Sequence, residues 1–502
     1  MILLEFDFFI LLFISVFFYY LATAKGQKYV LFIASIIFFV LAGDWKLLGI
    51  LGYVFAVTYI GALCIDSLEG KKRRIAVISV VTLLFADLML LKYVYNLGEI
   101  VVRIFSLDAD VSWLAFTAPI GISYFTLSAI GYVLDVYWQT YKAEKNIVKV
   151  SLFICYFPYI VSGPILRYSE MKIQFETKHS IRYENIAYGM RRMAWGYFKK
   201  LVIADKLGMV VANVYGNYEK SGVLLICATF CYAIQLYADF SGCIDIVMGA
   251  SKLYGILVPE NFDAPFCSKN ISEFWRRWHI SLGLWFKDYV MYPLLKSNLF
   301  QVIGKWCKRR FGKKVGKKIP TFIAIFFMWM LIGLWHGGTT YYFMASAILP
   351  FCYLLGSEII QTLSSKMTTL LKINTDCFSW KLWQCIRTFL LMCVCWVFVC
   401  AGSVSRGFGI LYKMFTAFNM QDITQIATII KNVGLSGSHF IVLMLGLIFL
   451  LLSDWFENAN SSLTNILDKQ NLIFRWGILW GELLIIMLFA ELGQSSFIYF
   501  KF

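Results

Sequence analysis

Histidine, proline and acid are what this chain has least of. Its 502 residues include 4 histidines and 8 prolines, and only 30 acidic against 46 basic side chains. Charged residues make up 15% of the chain and hydrophobic ones 60%. That balance excludes a soluble domain with a charged surface and fits a polytopic membrane body. No soluble domain fits between the apolar runs, and no Pro/Ser-rich linker divides the chain. No internal repeat is visible, which counts against an inverted-repeat transporter. The 13 cysteines are scattered through apolar stretches without paired C-x-x-C spacing, which predicts buried free thiols, no disulfide and no metal site.

What is present is a series of long apolar runs. A helix needs about 20 mostly apolar residues to cross a bilayer. Such runs lie near 2–22, 29–43, 47–65, 75–95, 115–138, 222–238, 321–336, 341–357, 384–401, 440–453 and 472–490. Shorter ones near 150–163 and 188–214 read as partial or re-entrant. The expectation is an all-α polytopic membrane protein with roughly ten to twelve crossings. The first run opens with Glu5 and Asp7 and has neither a basic leader nor a small-x-small cleavage site, so it reads as a retained span rather than a signal peptide.

The net charge of +16 follows the positive-inside rule rather than a nucleic-acid footprint, so no nucleic-acid partner is expected. Lys71 to Arg74, Arg191–Arg192 with Lys199–Lys200, and the run Lys305 to Lys318 read as short loops or span ends. A cytoplasmic 71–74 places the N-terminus outside. The 305–318 run would also attract anionic lipid headgroups.

Four stretches carry chemistry-bearing residues. Pro158, Gly163 and Pro164 break the apolar segment that leads to Arg167, and either wall a cavity or form a loop at the membrane face. Asp239 and Asp245 lie six apart on an apolar run, where a carboxylate at depth needs a cationic or backbone partner; an ion pair and a direct chemical role are the two readings. Asn261 to Ser281 is the densest stretch, with Trp275, Arg276, Arg277, Trp278 and His279 in succession. Asn270 and Glu273 fit a capping box, on whose helix Trp275–His279 and Glu273–Arg277 are i,i+4 pairs. That mixed face suits a polar path, where Arg can grip a phosphate or carboxylate; an interfacial tryptophan belt is the alternative.

The fourth stretch is Gly333-Leu-Trp335-His336-Gly-Gly. If its helix enters near residue 320, His336 lies about 24 Å in, past the midplane of a ~30 Å core. A buried imidazole stays neutral and can accept a proton, as acyl transfer to a hydroxyl requires. A structural histidine bonded to a carbonyl is the other reading. The flanking glycines would let a ligand approach the backbone. His179 and His439 read as solvated.

Taken together these residues resemble the membrane-bound O-acyltransferases, and within them the bacterial polysaccharide O-acetyltransferases typified by the alginate O-acetylation membrane subunit. The matching pieces are Pro119 to Phe125, Ser162 to Tyr168, Tyr237 to Gly242, Pro259 to Phe262, Phe274 to Leu282, Gly333 to Gly337 and Ser496 to Phe502. The resemblance implies membrane helices and re-entrant helices around a central funnel in one domain. Residues 1–112 would be scaffold, 113–360 the catalytic core and 361–502 the C-terminal helices.

The implied activity moves an acetyl group from a cytoplasmic thioester, acetyl-CoA or an acyl-carrier protein thioester, toward O-acetylation of a surface polysaccharide at the bacterial plasma membrane. No cofactor would be bound. An extracytoplasmic SGNH-type acetyltransferase would be the partner. D-alanyl transfer from a carrier protein to teichoic acid is the close alternative, and a non-enzymatic transporter the remote one. Carried over, His336 is the catalytic base and His279 the supporting histidine. Trp335, Trp275, Arg276, Arg277, Trp278, Ser281, Asn261 and Asp239 would line the path. Tyr499, in Phe497-Ile-Tyr-Phe-Lys-Phe502, fits either a transient acyl carrier or an aromatic membrane anchor.

Overall fold

The computed structural model describes residues 2–43, 48–106, 108–114, 119–216, 221–459, 463–491 and 497–498. Among these every regular element is a helix, and the one isolated extended pairing is an antiparallel bridge between Phe262 and Trp278. This is an all-α polytopic membrane protein. Eight described helices are long and apolar enough to cross a membrane, and three shorter apolar ones, Phe6–Leu21, Gln27–Ala42 and Ile122–Tyr137, coincide with three further expected spans. Leu472–Phe489 has only 6% of its apolar window buried, whereas Gly222–Leu253 has 72%. The first presents its side chains to lipid, and the second is an interior helix.

The helices gather into two compact units. The first comprises the described residues of 2–195, residues 243–259, and residues 497–498. Its centre is aromatic: Tyr132, Tyr156, Tyr159, Tyr168 and Tyr254 are among its largest fully buried side chains. The broken segment after Phe157 lies inside this unit, buried from Phe157 to Leu166, so the membrane-face loop reading does not hold. Protein groups take up its freed backbone: the Phe157 N–H donates to Ser35 Oγ at 3.1 Å, and the Tyr159 hydroxyl donates to the Ile154 carbonyl at 3.1 Å. Gly121 (φ 77°) is mandatory here, because a Cβ would lie 1.8 Å from the Ile160 carbonyl oxygen. Asp245 pairs with Arg192 at 2.6 Å. His179 is not simply solvated: its backbone and Gln27 exchange hydrogen bonds of 3.0 and 2.7 Å.

The second unit comprises residues 196–242 and 260–495. Lys199 and Lys200 are not at a span end. Both are buried on a π-helical turn, Phe198–Ala204, between the helices Tyr183–Tyr197 and Asp205–Gly216. Lys200 Nζ lies 2.8 Å from both Asp239 and Asp205, and Lys199 donates to Ser241 Oγ at 2.9 Å. The basic run 305–318 is not a loop either. It belongs to the Asn298–Trp335 helix, which is interrupted at Gly312 and carries Pro320 inside.

Candidate functional site

His279 owes its position to a break that its own sequence does not announce. The helix Ile271–Arg277 starts as the capping pattern predicts, with Asn270 Oδ1 accepting from the Glu273 N–H at 2.8 Å and Glu273 bridging to Arg277 at 2.9 Å. It then stops at Trp278. His279 adopts a left-handed conformation (φ 47°, ψ 54°) and caps the next helix, Ile280–Phe286. Trp275 and His279 are therefore not i,i+4 neighbours on one helix as expected, and Trp275 packs on Trp329 with ring centroids 4.7 Å apart. A non-glycine residue in this region costs about 1–2 kcal/mol, so something must hold it there.

The segment around Asn261 does so. Asp263 N–H donates to the Arg277 carbonyl at 3.0 Å and Ile280 N–H to the Asn261 carbonyl at 3.0 Å, on either side of the Phe262–Trp278 bridge. The Asn261 side chain, fully buried, completes the clamp: its Oδ1 accepts the Ser281 N–H at 2.9 Å and its Nδ2 lies 3.2 Å from His279 Nδ1. Oδ1 lies 3.4 Å from the same ring nitrogen, so the amide meets Nδ1 more closely through its donor than through the second lone pair of its acceptor. His279 lies outside the membrane-spanning helices. Burial, and after it the neighbouring His336, hold its pKa well below the ordinary histidine range, so the ring is neutral at pH 7.

The second histidine comes from a helix end. Asn298–Trp335 terminates with His336 N–H on the Ile332 carbonyl at 3.0 Å and Gly337 N–H on the Leu334 carbonyl at 3.1 Å. Gly337 (φ 137°) and Gly338 (φ 67°) supply the backbone that ends the helix. At Gly337 and at Gly333 the space a side chain would take is occupied by protein. A Cβ on Gly337 would meet the Tyr342 ring at 2.9 Å, and one on Gly333 would meet Ala347 Cβ at 3.1 Å. Trp335 packs on both imidazoles, its ring centroid 5.9 Å from His279 and 4.9 Å from His336. Phe240 closes on His279 edge-on at 4.8 Å, and Tyr342 lies parallel to His336 at 6.3 Å.

The structure thus gathers His279, His336, Trp335, Asn261 and Ser281. Asp239 precedes Phe240 in sequence but is held by Lys200, as the ion-pair reading expects. Trp278 is buried among Phe262, Phe274 and Trp396. Arg277 reaches Asn458 at 2.8 Å as well as Glu273. Arg276 is exposed beside Ser272. Tyr499 lies outside the described residues. Sequence reasoning gave no role to Phe240 or Tyr342; an aromatic neighbour six residues on from His336, or on another helix from His279, carries no local signal.

The sequence profile of the membrane-bound O-acyltransferase family matches residues 144–404, just over half of the chain, and this stretch contains both histidines. The chain belongs to that family. Among similar members is the probable alginate O-acetylase AlgI of Pseudomonas aeruginosa, 31% identical over 351 residues, 68% of this chain and 63% of that protein. The peptidoglycan O-acetyltransferase of Helicobacter pylori is 30% identical over 248 residues, 44% of each chain. The teichoic acid D-alanyltransferase of Bacillus subtilis is 31% identical over 243 residues, 47% of this chain and 58% of that protein. In each case the match spans less than two thirds of the relative's length. The membrane-bound O-acyltransferase segment takes in the Asn261 clamp, Trp335 and the buried Lys200 group, but not residue 499.

Proposed function

We propose that this chain is an O-acyltransferase that moves an acetyl group from a cytoplasmic thioester across the membrane toward O-acetylation of a cell-surface polysaccharide. The observation that carries the reading is a pair of buried imidazoles packed on one Trp335 ring, with His279 Nδ1 3.2 Å from Asn261 Nδ2; in this scheme the amide donates to Nδ1 and the ring proton is on Nε2. The two histidines then differ in role. His336 acts as base: it takes the proton of the acceptor hydroxyl as that oxygen bonds to the thioester carbonyl carbon. The carbonyl oxygen gains negative charge, and His279 Nε2–H donates to it. Collapse breaks the C–S bond, and the thiolate recovers the proton from His336.

In this scheme Trp335, Ser281 and Asn261 border the reacting groups, residues 113–360 are the core of a single membrane domain, and Tyr499 is a candidate to carry the acyl group onward. The donor is acetyl-CoA or an acyl-carrier protein thioester. The extracytoplasmic partner is of the SGNH acetyltransferase type. D-alanyl transfer to teichoic acid is the second reading, favoured by the 31% identity to the Bacillus subtilis enzyme.

The test is ester-linked acetate on isolated surface polysaccharide, wild type against His336→Ala at matched membrane expression. Loss of acetate supports the proposal and the acetylated fraction identifies the polymer. Intact acetate with lost D-alanine selects the second reading; no change in either refutes both.

A further inference from the structure

The basic run 305–318 is built as a hairpin. The Asn298–Trp335 helix has one non-helical residue, Gly312 (φ 77°, ψ 166°), and the chain turns back there. A Cβ on Gly316 would lie 2.4 Å from the Cys307 carbonyl oxygen, and one on Gly304 would lie 3.6 Å from Pro320 Cγ. Small residues on both limbs therefore let residues 298–311 lie against the start of the limb 313–335. Beyond its lysines that second limb runs from Ile319 to Trp335, about 25 Å at 1.5 Å per residue, most of a ~30 Å hydrocarbon core. The first limb is returned to the membrane face at which the second enters.

The first limb has three distinct faces. Phe300 and Cys307 are buried, with Ile303 and Gly304 half-buried beside them. Leu299, Val302 and Trp306, three and four residues apart, form an apolar stripe that is 66%, 63% and 60% exposed. Gln301, Lys305, Lys308 and Arg309 occupy the remaining arc and are exposed. Arg310, Lys313, Lys314, Lys317 and Lys318 extend the positive charge around the turn, and no acidic residue occurs between Asp288 and Glu358. Lys318 pairs with Glu358. An exposed apolar stripe beside a basic arc is the pattern of a helix lying in a membrane interface, where cationic side chains sit at the headgroups and tryptophan and leucine enter the acyl boundary.

We propose that the 298–318 hairpin is a docking surface for anionic phospholipid, with Leu299, Val302 and Trp306 in the acyl boundary and Lys305, Lys308 and Arg309 on the headgroup phosphates. Lipid is the occupant because the second limb continues directly into the span, which fixes the bilayer surface at the level of the stripe whatever chemistry the protein performs. The basic arc selects acidic headgroups over zwitterionic ones.

The experiment uses full-length protein in nanodiscs of phosphatidylcholine or of phosphatidylcholine with phosphatidylglycerol. Trp306 is read as the fluorescence difference between wild type and Trp306→Phe, with lipids brominated on the acyl chain as quencher. Thermal midpoints are read for wild type and for Lys305→Gln/Lys308→Gln/Arg309→Gln. The expected result is quenching of the Trp306 component, a higher midpoint with phosphatidylglycerol, and loss of most of that increment in the triple variant. An unquenched Trp306, or an undiminished phosphatidylglycerol increment in the triple variant, overturns the proposal. Inorganic phosphate reproducing the increment in phosphatidylcholine discs would reduce it to a general anion effect. A purified acidic carrier protein that binds wild type but not the triple variant, with no lipid effect, would reassign the surface to a protein partner.

Discussion

Asn261 Nδ2 lies 3.2 Å from His279 Nδ1, while the same amide's Oδ1 is occupied by the Ser281 N–H at 2.9 Å. One side chain thus holds the backbone of the left-handed joint and, in the proposed mechanism, sets the tautomer of the imidazole on it. Asn261→Asp keeps the acceptor for Ser281 but turns the group opposite Nδ1 into a second acceptor, which draws the ring proton to Nδ1 and strips Nε2 of its donor. A fall of about 10²-fold or more in acyl transfer is expected at unchanged membrane abundance, the scale of a lost acid–base partner. Transfer measured with purified protein in liposomes decides this, and wild-type rates for Asn261→Asp would refute the tautomer argument.

His279 also gives the fold a pH dependence. Its native pKa is lowered by burial and by His336, so the unfolded state binds the proton first as the medium is acidified. The stabilisation from the neutral ring is fully present above the unfolded value of about 6.5 and is lost as pH falls below it, at up to about 1.4 kcal/mol per pH unit. The thermal midpoint in detergent should decline below about pH 6.5, and more steeply in wild type than in His279→Gln. Parallel profiles would contradict the assignment.

Lys200 touches two carboxylates, Asp205 and Asp239, in the interior of the second unit. Lys200→Met leaves the two acids facing each other without their cation, a loss of about 3–5 kcal/mol by analogy with other buried pairs broken on one side. Lys200→Met/Asp239→Asn should recover part of the loss, because one of the two charges leaves with the lysine. Thermal unfolding of the single and double variants tests this; a double variant no more stable than the single would show that the triad does not act as a unit.

Two glycines with the same φ of 77° should respond differently to alanine. A Cβ at Gly121 would meet the Ile160 carbonyl oxygen at 1.8 Å, whereas one at Gly312 would meet nothing within 4 Å. Gly312→Ala bears only the conformational penalty of about 1–2 kcal/mol. Gly121→Ala adds a backbone collision and should fail to accumulate in the membrane. Membrane yield of the two variants separates them.

The spans were legible in the sequence because length and apolarity alone define them, and Leu48–Ser67, Gly70–Lys92 and Gly437–Asn458 fall where the apolar runs lie. The helix end at Trp335 falls where the apolar run 321–336 stops. The joint at His279 was not: from the Asn270 cap through His279 the chain reads as one helix, and only pairing with residues 261–263, outside the helix, enforces the break. Nor was the burial of Lys199 and Lys200. A Lys-Lys pair reads locally as the edge of a span, and the carboxylate of Asp239 lies far along the chain. The hairpin at Gly312 was hidden for a related reason, since a basic run gives the same composition in a loop and on a helix.

The left-handed backbone at residue 279 sets stability against chemistry. Glycine there would release the conformational penalty, and asparagine would lighten it. A library selected for heat tolerance alone should therefore discard the imidazole early, and its hardiest survivors should be the least able to transfer an acyl group.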